Sequence, residues 1–302
     1  MKIKKYAAID IGSNAMRLLI ANIVQENNKE YFYKSHLVRV PIRLGQDAFT
    51  VGEISERNIL RMIKAMQAFR LLMQVYEVEK YAACATSAMR EAFNGTDLVK
   101  RIGKETAIHI EIIDGKKEAN IIANSDLKSL IQTDENFLYV DVGGGSTEFT
   151  VFEDGKQKAS KSFKNGTVRL LNEMVTQNVW DEIERWIVEN TQHLSNLQMI
   201  GSGGNINKVF KMSGKSNKIP LSAAYLKKQY KRLQSMTYEE RITELELNTD
   251  RADVIVPALS IYVNAMKWSK ASKIYVPKIG LSDGIIKAMH YQTSNIKIHT
   301  IE

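Results

Sequence analysis

The chain has 302 residues, of which 44% are hydrophobic and 25% are charged, which is typical of a folded protein with two ordinary domains and excludes a disordered chain. No apolar run approaches the roughly 18 residues that span a bilayer, and Asp10 interrupts the first apolar stretch too early for a signal peptide, so we expect a cytoplasmic protein with no membrane partner. The net charge of +8 favours an acidic partner, but no zinc-finger, helix-turn-helix or RNA-binding motif indicates a specific nucleic acid.

The only cysteine is Cys84, so an intrachain disulfide and a thiolate zinc site are excluded. It lies in the apolar stretch Tyr81–Ala85, which favours a buried thiol over a nucleophile. The five histidines lack the close spacing of a histidine metal site. A metal ion bound here would therefore have oxygen ligands.

The first half of the chain predicts three strands in a meander, followed by helices that alternate with strands. The predicted elements are strands Ile3–Ile11, Met16–Val24 and Tyr31–Val40, helix Glu56–Tyr76, strand Tyr81–Ala85, a helix from Thr96, strand Ile108–Ile113 and a helix from Lys116 to about Leu130. Such alternation indicates a sheet with parallel members and helices on its faces.

The chain turns polar at 131–136, which predicts a boundary between lobes 1–131 and 132–302. After it the opening pattern returns as strands Phe137–Val142, Thr147–Phe152, Lys156–Phe163, Leu197–Gly201 and Lys273–Val276, with helices Val168–Thr176, Asp181–Leu194, Ala223–Gln234, Ala252–Trp268 and Ser282–His290. We therefore predict an α/β protein of two lobes, each a mixed five-stranded sheet with flanking helices. The last helix packs either on its own lobe or back on the first.

Each lobe opens with a strand that ends in Asp-hydrophobic-Gly, a short polar turn and a second strand. The two turns are Asp10-Ile11-Gly12-Ser13-Asn14 and Asp141-Val142-Gly143-Gly144-Gly145-Ser146-Thr147. Backbone N–H groups of such a turn can hold phosphate oxygens, and the neighbouring carboxylate can hold Mg²⁺ on those oxygens. Each turn alone is also explained as a tight hairpin, but two copies at the head of two similar units favour a phosphate site.

Four ordered segments carry a resemblance to a known family. They are Ala7-Ala8-Ile9-Asp10-Ile11-Gly12-Ser13-Asn14, Ala85-Thr86-Ser87-Ala88-Met89-Arg90-Glu91-Ala92, Asp141-Val142-Gly143-Gly144-Gly145-Ser146-Thr147-Glu148 and Asp250-Arg251-Ala252-Asp253-Val254-Ile255-Val256-Pro257. Together they resemble the exopolyphosphatase and guanosine pentaphosphate phosphatase family (Ppx/GppA). The resemblance implies two ribonuclease-H-like lobes of the actin-like ATPase fold with the active site in the interlobe cleft.

The resemblance also implies roles for individual residues. Glu118 matches the glutamate that activates water, and Arg90 matches an arginine that contacts phosphate. Asp141 and Glu148 match magnesium-binding acids, with Asp10 facing them from the other lobe. The implied phosphate-binding residues are Gly12, Ser13, Asn14, Gly143, Gly144, Gly145, Ser146 and Thr147, and the implied nucleoside or chain contacts are Ser202, Gly203, Gly204 and Lys208.

The residues alone leave alternatives at several of these positions. Glu118 is also explained as a first-turn residue whose charge is favourable to the helix dipole. Arg90 is also explained as a surface arginine in a salt bridge. The basic residues after the second glycine loop form either a track for a phosphate chain or a solvated basic surface; they are Lys208, Lys211, Lys215, Lys218, Lys227, Lys228, Lys231 and Arg232.

Two positions depart from the family pattern. Lys116 and Lys117 replace acidic residues before Glu118, which we expect to attract polyanions, and Ser282 stands where the family commonly has arginine, which puts activity in question. The expected function is hydrolysis of the terminal phosphoanhydride of polyphosphate or guanosine pentaphosphate, with Mg²⁺, by a homodimer. A small-molecule kinase of the same fold and a non-catalytic binding relative are the alternatives.

Overall fold

The computed structural model describes residues 1–27, 29–123, 135–216 and 219–301. It divides into two compact units, unit 1 formed by Met1–Asp126 with Leu281–Glu302, and unit 2 formed by Leu127–Gly280. The predicted boundary after residue 131 and the predicted helix end near Leu130 lie outside the described residues. The last predicted helix belongs to unit 1, together with the first half of the chain.

Unit 1 contains a mixed sheet of six strands. Its strands are β1 Lys2–Ile11, β2 Met16–Glu26, β3 Lys29–Val40, β4 Lys80–Ala85, β5 Ile110–Ile112 and β12 His299–Thr300. The order is β3-β2-β1-β4, with β5 and β12 both paired to β4, and β1, β4 and β5 are parallel. The last six residues of β1 are buried, as expected for a central strand covered on both faces.

The helices of unit 1 cover this sheet. They are α1 Leu44–Thr50, α2 Glu56–Val75, α3 Ser87–Glu91, α4 Gly95–Thr106, α5 Gly115–Ala123 and α13 Leu281–Tyr291. Helix α2 begins where the sequence predicts, because the Ser55 side chain accepts a hydrogen bond from the Asn58 backbone N–H. Its buried face includes Met62, Met66 and Phe69 at helical spacing, which packs it against the core.

Unit 2 repeats the arrangement in its own six-stranded sheet. Its strands are β6 Phe137–Val142, β7 Thr147–Glu153, β8 Lys156–Phe163, β9 Gln198–Ser202, β10 Leu221–Ser222 and β11 Lys273–Tyr275. Their order is β8-β7-β6-β9-β11-β10, with β6, β9 and β11 parallel. The helices are α6 Thr167–Leu171, α7 Gln177–Thr191, α8 Gly204–Met212, α9 Ala223–Ser235, α10 Tyr238–Thr243, α11 Thr249–Ala252 and α12 Ile255–Ser269.

The predicted α/β architecture and all ten predicted strands are confirmed. The prediction of five strands per sheet was one short, because β10 and β12 have two residues each and show no periodicity. The predicted helix Val168–Thr176 ends early, at Leu171, and Glu173 then takes the left-handed conformation. The predicted helix Ala252–Trp268 is divided into α11 and α12.

The core of unit 2 forms around α12, whose buried residues pack with those of β6, β7 and α7. Trp180, Trp186 and Trp268 are partly buried against this core. Cys84 is buried in β4, which confirms its predicted place as a core thiol. Among the described helices, none has the combination of length and apolar character that crossing a bilayer requires.

Candidate active site

The predicted site residues of unit 1 lie at one edge of its sheet. Strands β1, β4 and β5 are parallel, so their carboxyl ends lie at the same edge. Asp10 is the penultimate residue of β1, Arg90 lies in α3 just after β4, and Glu118 lies in α5 just after β5. The topology of unit 1 therefore brings these three side chains to the edge where α/β proteins bind ligands.

The first glycine turn is closed by the Gly12 N–H, which donates to the Ala15 carbonyl at 3.2 Å. The chain entering α1 fixes it from outside, because the Gly45 N–H donates to the Ser13 carbonyl at 2.7 Å and the Arg43 N–H to the Asn14 carbonyl at 3.0 Å. The Ser13 hydroxyl is buried and lies 2.9 Å from that of Ser87. Side chain and backbone of Ser13 thus both hold the turn in place.

Asp10 is ion-paired inside its own unit. The Arg17 Nη1 atom donates to Asp10 Oδ2 at 2.7 Å, and Asp10 is 5% exposed. The two residues are direct partners in the antiparallel pairing of β1 and β2, which places their side chains on one face of the sheet. Asp10 therefore has a charge partner without any metal ion, and its predicted role as a metal ligand stays a prediction.

Glu118 lies in the first turn of α5, which Asp114 caps. The Lys117 N–H donates to Asp114 Oδ1 at 2.7 Å, and the Glu118 N–H donates to the Asp114 carbonyl at 2.9 Å. Burial, and then the negative charges of Glu111, Asp10 and Glu118, raise the pKa of Cys84 to about 12. Asp10 on β1 and Glu111 on β5 are the direct partners of Cys84 across the sheet, so both lie beside this buried thiol.

Lys117 is engaged in a structural contact. Its Nζ atom donates to Glu111 Oε1 at 2.5 Å and to the Asn295 carbonyl at 2.8 Å. The expectation that Lys117 attracts polyanions is therefore not supported, because Glu111 offsets its charge. Lys116 beside it is exposed. Ser282, at the position where the family commonly has arginine, is 7% exposed in the first turn of α13.

Arg90 forms a hydrogen bond with the backbone segment that leads into α5. Its Nη1 atom donates to the Ile113 carbonyl at 2.6 Å, one residue before the capping Asp114. A guanidinium has five N–H donors in a rigid fork, so this contact leaves others for a ligand. Arg90 is half-buried.

The second glycine turn has the same closure as the first. The Gly143 N–H donates to the Ser146 carbonyl at 3.0 Å. The chain entering α6 fixes this turn, because Thr167 N–H donates to the Gly143 carbonyl at 3.0 Å and Val168 N–H to the Gly144 carbonyl at 2.8 Å. The buried Thr147 hydroxyl donates to the Asn165 carbonyl, so Thr147 supports the turn from beneath.

Asp141 and Glu148 are direct partners across β6 and β7. Glu148 is 3% exposed, and its Oε1 atom accepts hydrogen bonds from the hydroxyls of Ser146 at 2.7 Å and Ser162 at 2.8 Å. Ser162 is its partner on β8. Two carboxylates side by side repel each other unless a cation lies nearby.

Two buried tyrosines surround Asp141. The Tyr139 hydroxyl donates to Asp141 Oδ2 at 3.4 Å, and the Tyr262 hydroxyl donates to the Ser202 carbonyl. Burial and the charge of Asp141 raise the pKa of both tyrosines well above the usual value, so both stay neutral donors. Ser202 is the partner of Asp141 on β9, and its hydroxyl donates to the Ile279 carbonyl at 2.8 Å.

The Gly203-Gly204 turn approaches Asp141 closely. Gly203 has φ +123, and a Cβ atom there would lie 3.0 Å from the Val142 carbonyl oxygen and 3.8 Å from Asp141 Oδ1. Only glycine fits this conformation and this space. Helix α8 begins at Gly204, and Lys208 on it donates to the Leu245 carbonyl at 2.7 Å.

The donors in unit 2 suit magnesium. Mg²⁺ binds oxygen ligands and in proteins uses one or two carboxylates, with phosphate oxygens and water completing its shell. Asp141 and Glu148 supply two carboxylates, and the hydroxyls on Glu148 favour its ionised form. Within the described ranges, no three His, Cys, Asp or Glu side chains form a metal cage by themselves. The pair therefore fits an ion that shares its shell with a substrate.

Comparison of the two units identifies residues that the sequence analysis missed. Arg17 in unit 1 occupies the strand position that Glu148 occupies in unit 2, directly opposite the aspartate. One unit thus pairs its aspartate with an arginine, and the other pairs its aspartate with a glutamate. These cross-strand pairs could have been predicted from the sequence, because a four-residue turn fixes which residues of a hairpin lie opposite each other. Ser162 could not be identified in this way, because the register of β7 and β8 shifts between Val151 and Phe152.

The family model described as the Ppx/GppA phosphatase family matches residues 22–292, nearly the whole chain. The chain is a member of the Ppx/GppA phosphatase family. Among the most similar solved structures, an exopolyphosphatase from Cytophaga hutchinsonii superposes with a TM-score of 0.85 and 26% identity, over 96% of this chain and 98% of that one. The Ppx/GppA family member of Aquifex aeolicus superposes with a TM-score of 0.75 and 22% identity, over 98% of this chain and 100% of that one.

Two curated relatives match parts of this Ppx/GppA phosphatase. A bifunctional 3-dehydroquinate synthase/phosphatase of Fusobacterium nucleatum is 33% identical over 215 residues, 66% of this chain and 32% of that protein. Exopolyphosphatase 2 of Mycobacterium tuberculosis is 30% identical over 175 residues, 56% of this chain and 54% of that protein. The matches thus span about a third and about half of these relatives. Membership makes the chain a phosphatase-family hydrolase.

Proposed function

We propose that the protein hydrolyses the terminal phosphoanhydride of inorganic polyphosphate with the help of Mg²⁺. The observation that carries this proposal is the Asp141–Glu148 pair beside the second glycine turn. An acidic pair attracts a cation, and a glycine turn at the end of a strand suits phosphate oxygens. A bound Mg²⁺ would offset the charge of the phosphate oxygens and polarise the terminal group.

Glu118 is the proposed general base. It takes a proton from a water molecule, whose oxygen bonds to the terminal phosphorus while the bond from phosphorus to the bridging oxygen breaks. The products are inorganic phosphate and a chain shorter by one unit. The capped first turn of α5 gives Glu118 a rigid backbone, which is what a base needs to meet water at about 3 Å.

Arg90 is proposed to hold oxygens of the transferred group. Its fork can contact two of them and stabilise the charge that spreads over the phosphoryl group in a loose transition state. Asp10 is proposed as a further oxygen ligand of the metal ion, with Arg17 fixing the orientation of its carboxylate. The two glycine turns are proposed to hold the phosphates through their backbone N–H groups.

The choice of polyphosphate rests on relatives that are named exopolyphosphatases. Guanosine pentaphosphate presents the same terminal group and is the second candidate substrate. The predicted cytoplasmic location and the predicted homodimer stay predictions; light scattering on the purified chain measures the latter.

The decisive experiment compares phosphate release from polyphosphate and guanosine pentaphosphate across a magnesium titration. Glu118→Gln keeps the shape of the side chain and removes the base, so kcat should fall by roughly 10²–10⁴-fold. Glu53→Gln, an exposed glutamate of unit 1, is the matched control and should retain full activity.

Equal rates for Glu118→Gln and the control would contradict the role of Glu118. Phosphate release that requires a sugar or acetate acceptor would favour the kinase alternative. Thermal stabilisation by polyphosphate with no turnover would favour the non-catalytic alternative.

A further inference from the structure

Unit 2 contains a cavity that the proposed chemistry does not use. It has a volume of about 530 Å³ and lies beside the second half of α8. Its polar lining includes five cationic side chains and one carboxylate; these are Lys208, Lys211, Lys215, Arg251, Lys278 and Glu246. So strong an excess of positive charge around one cavity favours a ligand with several negative charges.

Two lysines of this basic cavity keep donors for a ligand. Lys208 Nζ donates to the Leu245 carbonyl at 2.7 Å, and Lys215 Nζ donates to the Pro220 carbonyl at 2.9 Å. Both acceptors are neutral, so the ammonium charges are not offset there. An ammonium has three N–H donors, so each lysine can also donate to a phosphate oxygen. The carbonyl contacts hold the ammonium groups in place.

The apolar residues of the cavity do not offer a surface for a nucleoside base. Phe210 and Leu247 line it but are 2% and 3% exposed, because both belong to the core of unit 2. A base normally stacks on an exposed aromatic or apolar face. The exposed side chains that line the cavity are therefore mainly lysines, which suits a chain of phosphates better than a stacked base.

Helix α8 connects the cavity to the acidic pair within unit 2. It begins at Gly204, next to the glycine whose Cβ would lie 3.8 Å from Asp141 Oδ1. Lys211 is seven residues further along, or about 10 Å at 1.5 Å per residue. A phosphate chain held at Asp141 therefore approaches Lys211 by extending along α8, which a longer chain does more readily than a short one.

From this geometry we infer that the basic cavity binds the inner phosphates of a long polyphosphate chain while the end of the chain lies at the acidic pair. The inference rests on the proposed function for the identity of the chain. It assigns the cavity a role in chain-length preference, since only a long substrate occupies it.

The test compares Lys211→Glu with Lys228→Glu. Both residues are exposed in helical segments of unit 2 and both changes alter the net charge equally, but Lys228 is not part of the cavity lining. For long-chain polyphosphate, Lys211→Glu should raise KM about tenfold and leave kcat unchanged. For tripolyphosphate it should change neither constant, and Lys228→Glu should match wild type on both substrates.

Two kinetic outcomes would overturn the inference. An equal rise in KM for both variants would mean that diffuse charge, and not the cavity, attracts the chain. An equal loss on tripolyphosphate would mean that Lys211 acts at the terminal phosphate. Unchanged thermal melting of both variants checks that each is folded, and Lys211→Gln, which removes the charge without reversing it, should give a smaller shift in the same direction.

A binding measurement separates failure of this inference from failure of the proposed function. Calorimetric titration of the full chain with long-chain polyphosphate, without Mg²⁺, should show weaker binding for Lys211→Glu than for Lys228→Glu even if no hydrolysis occurs. If hydrolysis proceeds and the two variants bind alike, the cavity assignment alone is wrong. Weaker binding of guanosine pentaphosphate with unchanged binding of polyphosphate would overturn it in favour of a nucleotide pocket.

Discussion

Gly166 supports the second glycine turn so closely that even alanine should displace the turn. A Cβ atom at this position would lie 2.3 Å from the Gly144 carbonyl oxygen and 2.4 Å from the carbonyl carbons of Gly144 and Gly145. The backbone of Gly166 is extended, at φ −109 and ψ 165, so alanine causes no strain of its own. The whole effect of Gly166→Ala therefore comes from the collision with the turn.

The size of the effect follows from three hydrogen bonds. Normal carbon–oxygen contact requires the turn to move by about 1 Å. Such a shift breaks the Thr167–Gly143 and Val168–Gly144 backbone bonds and the bond from Arg169 Nε to the Gly145 carbonyl, now 3.0, 2.8 and 2.8 Å long. With partial relaxation, the cost is about 2–4 kcal/mol of stability. A 1 Å displacement at a phosphate site should also lower phosphate release by about 10²-fold.

Urea denaturation and phosphate release together measure both effects. Gly103→Ala is the matched control, because a Cβ there meets only ordinary contacts at 3.6 and 3.8 Å inside α4. It should stabilise the protein by about 0.5–1 kcal/mol and leave phosphate release unchanged. If Gly166→Ala had stability within 0.5 kcal/mol of wild type and full activity, the close packing inferred for the turn would be wrong.

Three further predictions follow from hydrogen bonds and burial. Ser162→Ala removes one of two hydroxyls from Glu148 and should weaken magnesium activation about tenfold, read as the Mg²⁺ concentration for half-maximal rate; an unchanged value would exclude Glu148 as a metal ligand. With its pKa raised to about 12, Cys84 should resist alkylation at pH 8 until urea unfolds the chain, and rapid labelling of the native protein would contradict its burial. Hydrogen bonds, first from Gln25 and then from His290 and Tyr291, lower the pKa of Glu30 to about 2, so its contribution to stability is present above pH 4.5 and is lost as the pH falls towards 2. Melting temperatures of wild type and Glu30→Gln should therefore differ at pH 6 and converge near pH 2, and a constant difference would contradict this assignment.

The strands and the two turns could be predicted because their signals are local. Alternating and continuous apolar runs give the ten longer strands, and Asp-hydrophobic-Gly marks each turn. The two-residue strands β10 and β12 could not be predicted in this way, because their pairing depends on β11 and β4, which are distant in the sequence. Helix α3 was missed because its five residues are too few to show helical periodicity.

The candidate site was predicted by residue type, but its pairings came from the structure. Both acids of unit 2 were identified, yet the ion pair of Asp10 with Arg17 was not. Lys117 shows the limit of counting charges, because its partner Glu111 lies on a different element. Which charges offset each other depends on strand register and on the path of the C-terminal segment, and neither is a property of local sequence.

The division of the chain has a consequence for the order of folding. All of unit 2 lies between Leu127 and Gly280, whereas unit 1 needs Leu281–Glu302 to be complete. Helix α13 packs so tightly on α5 that a Cβ on Gly284 would lie 2.3 Å from the Ile121 carbonyl oxygen. During synthesis on the ribosome, the second unit can therefore fold before the first. Helix α5, which bears the proposed base Glu118, obtains its final packing only when α13 emerges, so a nascent chain can have its acidic pair formed while Glu118 is still unsupported.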